Sequence, residues 1–234
     1  MAYLEGKNLV ASYGVVPILH ECSVEVEKGE LAVIVGPNGA GKSTVMRVLL
    51  GMLEATSGSV TLDGKDISML STQDRIGKGL AFVPQTKNVF PSMTVEENLQ
   101  MGGCIRKDDI SNTINEVYEL FPILYEKRKQ LAEQLSGGQR QQVAFGRAMM
   151  TKPSIMLLDE PTAGVSPIVM DEIFSNILDV KKAGMAVLMV EQNAQQALNI
   201  ADKGFVLVSG RNEHTGTGKE LINDNEVRKK FLGG

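Results

Sequence analysis

A glycine-rich loop that ends in lysine, serine and threonine has the clearest chemistry in the sequence. The loop fits the pattern G-x-x-x-x-G-K-[ST], and its residues are Gly36, Pro37, Asn38, Gly39, Ala40, Gly41, Lys42, Ser43 and Thr44. Glycines let the backbone wrap around an anion and point successive N–H groups at phosphate oxygens. A lysine here can reach the β- and γ-phosphates of a nucleotide, and the adjacent serine hydroxyl can ligate Mg²⁺. We therefore expect Lys42 on the terminal phosphates and Ser43 on the metal ion.

The elements on either side of this loop favour the phosphate-binding interpretation. An apolar run at residues 31–35 precedes the loop and predicts a buried strand, and a helical pattern at residues 42–50 follows it. A helix that begins at the loop adds a partial positive charge to an anion site. A glycine-rich turn that contains a lysine by chance would need neither flanking element.

Two carboxylates end another apolar run. Residues 155–158 predict a buried strand, and Asp159 and Glu160 follow it directly. Beside a phosphate loop, Asp159 would coordinate Mg²⁺ through water, and Glu160 would orient or deprotonate an attacking water. Without that loop, the same residues would indicate only a strand that ends in solvated charges. Gln85 follows the apolar run at residues 80–83, and its amide oxygen could touch the metal ion or the water, although a lone glutamine indicates little.

A second helix start also has an anion-binding pattern. Ser136 has the spacing of a helix N-cap, with Gln139 in the position that completes a capping box. Gly137 and Gly138 leave the helix end bare of side chains, so its N–H groups can approach an anion. By themselves these residues fit an ordinary well-capped helix equally well. A second phosphate-binding helix end, in a chain with one phosphate loop, suggests a site that another copy of the chain completes.

The base of the nucleotide is indicated by a missing motif and by one aromatic residue. The sequence has no Asn-Lys-x-Asp motif of the kind that reads guanine. Tyr13 lies ahead of the first core strand, where its ring could stack on adenine, an interaction worth about 1–3 kcal/mol for nucleobases. A core or surface tyrosine is the plainer explanation of Tyr13 alone. Together the two observations favour ATP over GTP.

Short apolar runs separated by helical patterns predict an α/β fold with a mostly parallel core sheet. The clearest runs are residues 31–35, 80–83, 155–158, 186–190 and 205–208. Helical patterns occupy residues 42–50, 138–150, 169–182 and 193–200. Alternating patterns at residues 3–11, 22–26 and 59–62 predict a smaller antiparallel sheet. Residues 94–135 predict a helical subdomain inserted into a single domain of residues 1–234.

Composition excludes several classes of protein. The chain has 234 residues, with 24 Lys and Arg against 28 Asp and Glu, so its formal net charge is −4. Such a balance gives no attraction to nucleic acid, which we exclude as a partner. The longest apolar run, Met185 to Val190, is far shorter than the ~20 residues of a membrane-spanning helix. We expect no secretory signal, and Cys22 and Cys104 predict isolated reduced thiols.

Taken in their order along the chain, these motifs make it similar to the nucleotide-binding subunit of ATP-binding cassette (ABC) transporters, over essentially its whole length. Each motif resembles a family element: the adenine-stacking A-loop at Tyr13, Walker A at residues 36–44, the Q-loop at Gln85, the signature at residues 135–139, and Walker B at Asp159 and Glu160. The resemblance implies a P-loop NTPase core and an ATPase that uses ATP and Mg²⁺. Its metal-binding residues would be Ser43, Gln85 and Asp159. Its catalytic residues would be Lys42, Glu160 and Gln192.

Within the family, the chain resembles the uptake branch that serves branched-chain amino acids and related solutes such as urea, and specifically its second ATPase subunit. The runs that carry this similarity are residues 89–99, 160–167, 190–193 and 231–233. The resemblance implies a subunit of an importer. A closely similar subunit for lipopolysaccharide export is an alternative. A P-loop kinase of a small acceptor is another, but it leaves residues 136–139 unexplained.

The resemblance also implies partners and a location. Two ATPase subunits, identical or different, would enclose two ATP molecules head to tail. Ser136, Gly137 and Gly138 of one subunit would contact the γ-phosphate held by Lys42 of the other. The helical insertion and Gln85 would transmit closure to membrane permease subunits, which an extracytoplasmic solute-binding protein serves. The chain would lie peripherally on the cytoplasmic face of the plasma membrane and be soluble when isolated.

Two positions depart from the common family pattern. Gln192 stands where many members have a histidine in the switch region, and Ser166 stands where many have an aspartate in the D-loop. Glutamine can donate a hydrogen bond to a γ-phosphate, but it cannot carry a charge or relay a proton as imidazole does. These changes bear on the rate of hydrolysis and suit the slower site of a heterodimer.

Overall fold

The computed structural model describes residues 2–231, so Leu232 and Gly233 of the terminal run above lie outside the described residues. Within that range the strands are β1 Leu4–Tyr13, β2 Val16–Val26, β3 Leu31–Val35, β4 Ser57–Leu62, β5 Lys65–Asp66, β6 Leu80–Val83, β7 Ile155–Asp159, β8 Ala186–Glu191, β9 Lys203–Val208 and β10 Arg211–Gly216. The α-helices are α1 Lys42–Leu49, α2 Thr72–Gly77, α3 Val95–Gly102, α4 Ser111–Leu120, α5 Pro122–Glu126, α6 Gly137–Met149, α7 Pro167–Lys182, α8 Ala194–Ile200, α9 Gly218–Asn223 and α10 Asn225–Phe231.

The larger sheet has the strand order β10-β9-β3-β8-β7-β6, and all its neighbours pair in parallel except β10 with β9. Every residue of β3 and β8 is buried. Strands that are covered on both faces need apolar side chains on both, which is why they occur as continuous apolar runs. The predicted α/β class with a mostly parallel core sheet is confirmed, and each predicted run is a strand.

Strand β10 is not predicted by apolar periodicity. Its residues, RNEHTG, include no large aliphatic side chain and alternate between exposed and half-buried. The strand forms through antiparallel pairing with β9, which places Thr215 opposite Phe205. At the edge of a sheet, this pairing outweighs weak intrinsic preference, because an edge strand needs a partner on one side only.

A smaller sheet has the strand order β2-β1-β4-β5, with all neighbours antiparallel, as predicted. β1 and β2 extend beyond the predicted residues 3–11 and 22–26. The additional residues form a hairpin whose tip is open to solvent, with Tyr13 44% exposed and Val15 97% exposed. An exposed tip has no buried face, so hydrophobic alternation cannot reveal it.

The larger sheet separates two clusters of buried side chains. One cluster packs a face of this sheet against α1 and the smaller sheet, through side chains such as Val45 and Leu188. The other packs the opposite face against α6 and α7, through side chains such as Phe145 and Ile177. Alternate residues of β3 belong to each cluster. The loop that follows β3 therefore starts from a strand that is fixed on both faces.

The segment at residues 94–135 contains α3, α4, α5 and a 3-10 turn at Ala132–Gln134. Its predicted apolar positions are buried or half-buried against the α6 side of the core: Val95, Leu99, Ile110, Ile114, Val117 and Leu120. That this segment is an inserted subdomain of a single domain stays a prediction. Between residues 2 and 231, no helix combines the length and the apolar character that crossing a bilayer requires.

Candidate functional site

The loop between β3 and α1 has a backbone that suits an anion. Gly41 stands at the N-cap of α1 with φ 99°, a left-handed conformation that favours glycine, and no side chain caps the helix. A side chain at Gly36 would come within 2.2 Å of the Leu207 carbonyl oxygen on β9, so the loop lies directly against the sheet. The first N–H groups of a helix have no intrahelical acceptor. Those of α1 are therefore free to bind an anion.

Lys42 places a buried cation at the start of α1. It is only 5% exposed, and its Nζ donates hydrogen bonds to the carbonyl oxygens of Gly36 at 2.8 Å and Pro37 at 3.2 Å. Burial lowers the pKa of Lys42, and three nearby carboxyls oppose that shift: Glu160, Asp159 and Glu191. The hydrogen-bond partners of this ammonium are neutral carbonyl oxygens, so it can exchange them for the charged oxygens of a phosphate. With the uncapped start of α1, it fits the terminal phosphates of a nucleotide.

Asp159, at the end of β7, faces Ser43 of α1. The Ser43 Oγ donates a hydrogen bond to Asp159 Oδ1 at 3.4 Å. Burial raises the pKa of Asp159, while the Ser43 hydrogen bond and the positive charges of Arg47 and Lys42 lower it. A hydroxyl and a carboxylate are the hard oxygen ligands that Mg²⁺ accepts beside phosphates. The pair therefore fits a magnesium ion next to the phosphate loop.

Glu160 has a left-handed backbone and a side chain directed at Gln85. Its φ is 45°, a conformation that costs a residue other than glycine about 1–2 kcal/mol. Its N–H donates to the Val190 carbonyl oxygen on β8 at 2.9 Å, which helps to hold this conformation. Gln85 Nε2 donates to Glu160 Oε2 at 3.0 Å. The structure thus brings Gln85 and Glu160 into contact, and strained residues of this kind are concentrated at functional sites.

Tyr13 lies beside the helix that follows the phosphate loop. Its hydroxyl oxygen accepts a hydrogen bond at 3.2 Å from Nη1 of Arg47, a residue of α1. The Arg47 guanidinium carbon lies 5.9 Å from the centre of the Tyr13 ring. Tyr13 remains 44% exposed, so it is partly accessible to a ligand. The structure therefore places Tyr13 against α1, the helix that follows the phosphate loop, and its stacking on adenine stays a prediction.

The glycines at the start of α6 have a different set of neighbours. Ser136 is the N-cap and forms the predicted capping box with Gln139, which is confirmed. A side chain at Gly138 would come within 2.5 Å of a Glu172 carboxyl oxygen on α7. Gly137 also faces α7, where the nearest side-chain atom belongs to Val169. Within one chain, the two glycines of the predicted signature therefore face α7.

Gln192 and Ser166 are both exposed, each next to the end of a core element. Gln192 follows β8, and its backbone N–H donates to Glu191 Oε2 at 3.1 Å. Ser166 is the N-cap of α7, but its side chain makes no capping hydrogen bond. Their side chains are therefore free to meet a ligand or another chain.

The sequence analysis assigns no role to two buried polar residues near the carboxylates. Glu191 and Thr162 are each 1% exposed, and they are hydrogen-bonded to each other. The available signal is the one that identifies Asp159, namely a carboxylate at the end of an apolar strand. Residues 186–190 are such a run, and Glu191 follows it directly.

Comparisons with known proteins agree with this geometry. The family model described as ABC transporter matches residues 19–163. The high-affinity branched-chain amino acid transport ATP-binding protein BraG of Pseudomonas aeruginosa is 45% identical over 223 residues, which cover 95% of this chain and 96% of BraG. The lipopolysaccharide export system ATP-binding protein LptB of Haemophilus influenzae is 34% identical over 237 residues, which cover 100% of this chain and 98% of LptB.

A crystal structure of the ADP conformation of an ATP-binding cassette of an ABC transporter matches with a TM-score of 0.90 and 30% identity, and the match covers 100% of both chains. The family match extends from β2 to the loop after β7, so it includes the phosphate loop, the start of α6 and both carboxylates. The chain therefore belongs to the ABC transporter ATP-binding family, a family of nucleotide-binding ATPases.

Proposed function

We propose that this chain binds and hydrolyses ATP at the β3–α1 loop as the ATPase subunit of an ABC importer. The observation that carries the proposal is the cluster at one edge of the core sheet. There a buried Lys42 lies at an uncapped helix start, Ser43 is hydrogen-bonded to Asp159, and Glu160 is in contact with Gln85. Groups that would bind an anion, hold a metal ion and act as a general base are thus adjacent.

The residues divide the reaction among them. Lys42 and the free N–H groups of α1 bind the β- and γ-phosphates, and Tyr13 stacks on the adenine. Glu160 accepts a proton from the attacking water as the new oxygen–phosphorus bond forms and the bond to the ADP oxygen breaks. Mg²⁺, held by Ser43 and Asp159 with Gln85 nearby, supplies charge neutralisation of the phosphate oxygens when it is bound.

A second ATPase subunit is needed to complete each site. Gly137 and Gly138 lie against α7 in their own chain, Ser136 precedes them as the N-cap, and the N-terminus of α6 keeps N–H groups that can meet an anion. We infer that these residues contact the γ-phosphate bound by a partner subunit. ATP then favours the closed pair because it contacts both subunits only in that state. Hydrolysis removes this preference and lets the subunits separate.

The switch residue sets the rate of this cycle. Gln192 is exposed beside the carboxylate cluster and can donate an amide hydrogen bond to the γ-phosphate. It cannot become a cation at neutral pH as a histidine can. We expect turnover slower than that of a subunit with histidine at this position. In a heterodimer, this chain would therefore provide the slower of the two sites.

The cargo we propose is a branched-chain amino acid. This choice rests on the similarity to BraG, which exceeds the similarity to LptB by 45% to 34% in identity. The permease subunits would bind this chain at the cytoplasmic face of the plasma membrane, and an extracytoplasmic solute-binding protein would deliver the cargo to them. Lipopolysaccharide is the alternative cargo, because LptB matches over the full chain.

ATP turnover without any added acceptor tests the ATPase proposal against a kinase. Together with the second ATPase subunit, the purified chain should release phosphate from Mg·ATP, and E160Q should lower turnover by at least about 100-fold, the range of general base catalysis, while still binding ATP. Undiminished turnover in E160Q would remove Glu160 from its role. Phosphate release that required an acceptor would support a kinase.

Co-purification from the native membrane tests the transport role. The tagged chain should bring down two permease subunits and a second ATPase subunit, and reconstituted vesicles should take up leucine or a similar solute. Co-purification with lipopolysaccharide export components instead would replace the proposed cargo. The ATPase proposal would survive that result, because it rests on the site alone.

A further inference from the structure

Glu191 is a buried carboxyl group in the middle of the loops that carry the catalytic residues. It is the last residue of β8, and it pairs in register with Val35 at the end of β3, where the phosphate loop begins. The preceding residue, Val190, pairs with Asp159 of β7 and accepts the hydrogen bond from Glu160 N. Glu191 thus lies between the phosphate loop and the two carboxylates. No step of the proposed reaction uses it.

Its hydrogen bonds join two separate loops. Oε1 accepts from the backbone N of Thr162 at 3.0 Å and from Thr162 Oγ1 at 2.8 Å. Oε2 accepts from the backbone N of Gln192 at 3.1 Å. Asn193 Nδ2 in turn donates to Thr162 Oγ1 at 3.0 Å, which closes the network. One carboxyl group therefore connects the loop after β7 to the loop after β8.

The position of Thr162 gives this connection a consequence for Glu160. Thr162 is two residues after Glu160, whose left-handed φ of 45° persists only if its surroundings hold it. The Glu160 N–H is fixed by Val190 on one side, and the carbonyl oxygen of Glu160 accepts from Ala163 N at 3.1 Å on the other. Thr162, which Glu191 holds by two hydrogen bonds, lies between Glu160 and Ala163 in the chain.

We propose that Glu191 is a positioning residue that holds Glu160 and Gln192 in a fixed relation to each other, by accepting hydrogen bonds from Thr162 and from the Gln192 backbone. The proposal rests on the proposed ATPase function, which it deepens. Glu191 touches neither nucleotide nor water in it. Its effect reaches the reaction through the direction of the Glu160 carboxylate and the placement of the Gln192 side chain.

The chemistry of the network requires two acceptor oxygens. A carboxyl group offers one to Thr162 and one to Gln192, and the two backbone N–H donors among its three partners cannot turn away. In E191Q the side chain keeps its volume but presents an NH₂ group to one of these two donors, which leaves a buried donor unpaired. T162V keeps the backbone donor of residue 162 and removes only the hydroxyl. The two variants therefore break the same contact to different extents.

The test combines hydrogen exchange with single-site kinetics on the full chain. In E191Q without nucleotide, the backbone amides of residue 160 and residues 162–166 should exchange at least about tenfold faster, while those of residues 31–35 are unchanged. Turnover should fall at least about tenfold with the Kd for Mg·ATP within threefold of wild type. T162V should lose less turnover than E191Q. The turnover of E191Q/T162V should lie within twofold of that of E191Q alone, because both changes act through one contact.

N176A is the matched control for a lost buried hydrogen bond elsewhere. Asn176 of α7 is 7% exposed, and its Oδ1 accepts from Gln142 Nε2 at 3.1 Å. N176A should lower the melting temperature but leave both the exchange at residues 160–166 and the turnover of folded protein unchanged. If N176A slowed turnover as much as E191Q, general destabilisation would replace positioning as the explanation.

Two further results would overturn the proposal. Exchange and turnover at wild-type rates in E191Q would show that the hydrogen bonds of Glu191 do not position Glu160 or Gln192. A loss of ATP affinity as large as the loss of turnover would make Glu191 part of the binding site instead. A wild-type pair of ATPase subunits without any turnover would overturn the proposed function itself, and that failure is distinguishable because the exchange experiment uses no nucleotide.

Discussion

Helices α1 and α6 both have a glycine within the first residues of their N-termini, but these N-termini are completed in different ways. At α1 the N-cap is Gly41, no side chain caps the helix, and the buried Lys42 follows. At α6 the exposed Ser136 and the side chain of Gln139 form a complete capping box. The first helix start leaves its donors free, whereas the second satisfies part of its own.

This difference separates a site that binds by itself from one that depends on a partner. The N–H groups of α1 and the Lys42 charge are directed to a loop that is held against the sheet, so an anion can bind there in a single chain. The start of α6 is stable without a ligand, because its capping box closes the helix. Changes at α1 should therefore affect binding by one chain, and changes at α6 should affect only the assembled pair.

Removing the Lys42 charge should have the largest effect. K42A should weaken Mg·ATP binding by about a thousandfold, or about 4 kcal/mol, since two charge-assisted contacts of about 1.5–3 kcal/mol each are lost. Isothermal titration on the purified chain measures this. K28A is the control, because Lys28 is exposed and pairs with Asp63 at 3.3 Å on the surface. Equal affinities of K42A and wild type would break the distinction between the two helix starts.

The next largest effect should come from a substitution at Arg75, which contacts the C-terminal end of α1. Arg75 is 3% exposed, and its guanidinium donates to the carbonyl oxygens of Val48 and Leu49, both at 2.7 Å, and to those of Ser68 and Leu70. R75M would leave these buried carbonyls without a donor, at a cost of about 3 kcal/mol. The melting temperature should fall by about 6–12 °C for a chain of this size.

R75K separates the loss of charge from the loss of geometry in the same experiment. One ammonium cannot span the carbonyl oxygens that the planar guanidinium reaches, so its stability should lie between wild type and R75M. A stable R75M would show that α1 is not anchored at its C-terminus. The loop would then depend on the packing of the sheet alone.

The fold was accessible from sequence wherever burial leaves a pattern. Strands β3 and β8 are buried on both faces, so β3 and residues 186–190 of β8 are continuous runs of apolar residues. β10 has no such pattern, because its stability comes from pairing with β9, and α2 is anchored by Arg75 through contacts with distant carbonyls. Non-local contacts of this kind cannot be inferred from periodicity.

The candidate site divides in the same way. The phosphate loop and the Asp159–Glu160 pair could be found because a motif or the end of a strand marks them. Glu191 has the same mark as Asp159, yet its role is visible only when Thr162 and Gln192 are seen to share its oxygens. The packing of Gly138 against Glu172 likewise joins two helices that no local pattern connects.

A methyl group at Gly138 should affect the assembled pair and spare the single chain. In G138A the new Cβ meets the exposed end of Glu172, which can turn away, and alanine favours a helix by up to about 1 kcal/mol over glycine. Stability and Mg·ATP affinity should therefore be maintained. Turnover should fall by about tenfold, because the methyl group keeps a partner's phosphate from the backbone N–H groups.

G77A is the control for adding a methyl group to a helical glycine. Gly77 ends α2, and a side chain there would meet no atom within 4 Å. It should leave turnover unchanged. If G138A also turned over ATP at the wild-type rate, α6 would be an ordinary capped helix, and the contact with a partner's nucleotide would have to be abandoned.

The smallest effect should come from Ser136, and it is the most specific. S136A and T217A each remove the hydroxyl of a capping box, at α6 and α9 respectively, and each should lower stability by about 1 kcal/mol. Chemical denaturation should therefore not distinguish them. Steady-state turnover should, because only S136A removes a donor from the proposed phosphate contact, and we expect about a fivefold loss there and none in T217A. Equal turnover in the two variants would show that Ser136 acts only as a helix cap, as Thr217 does.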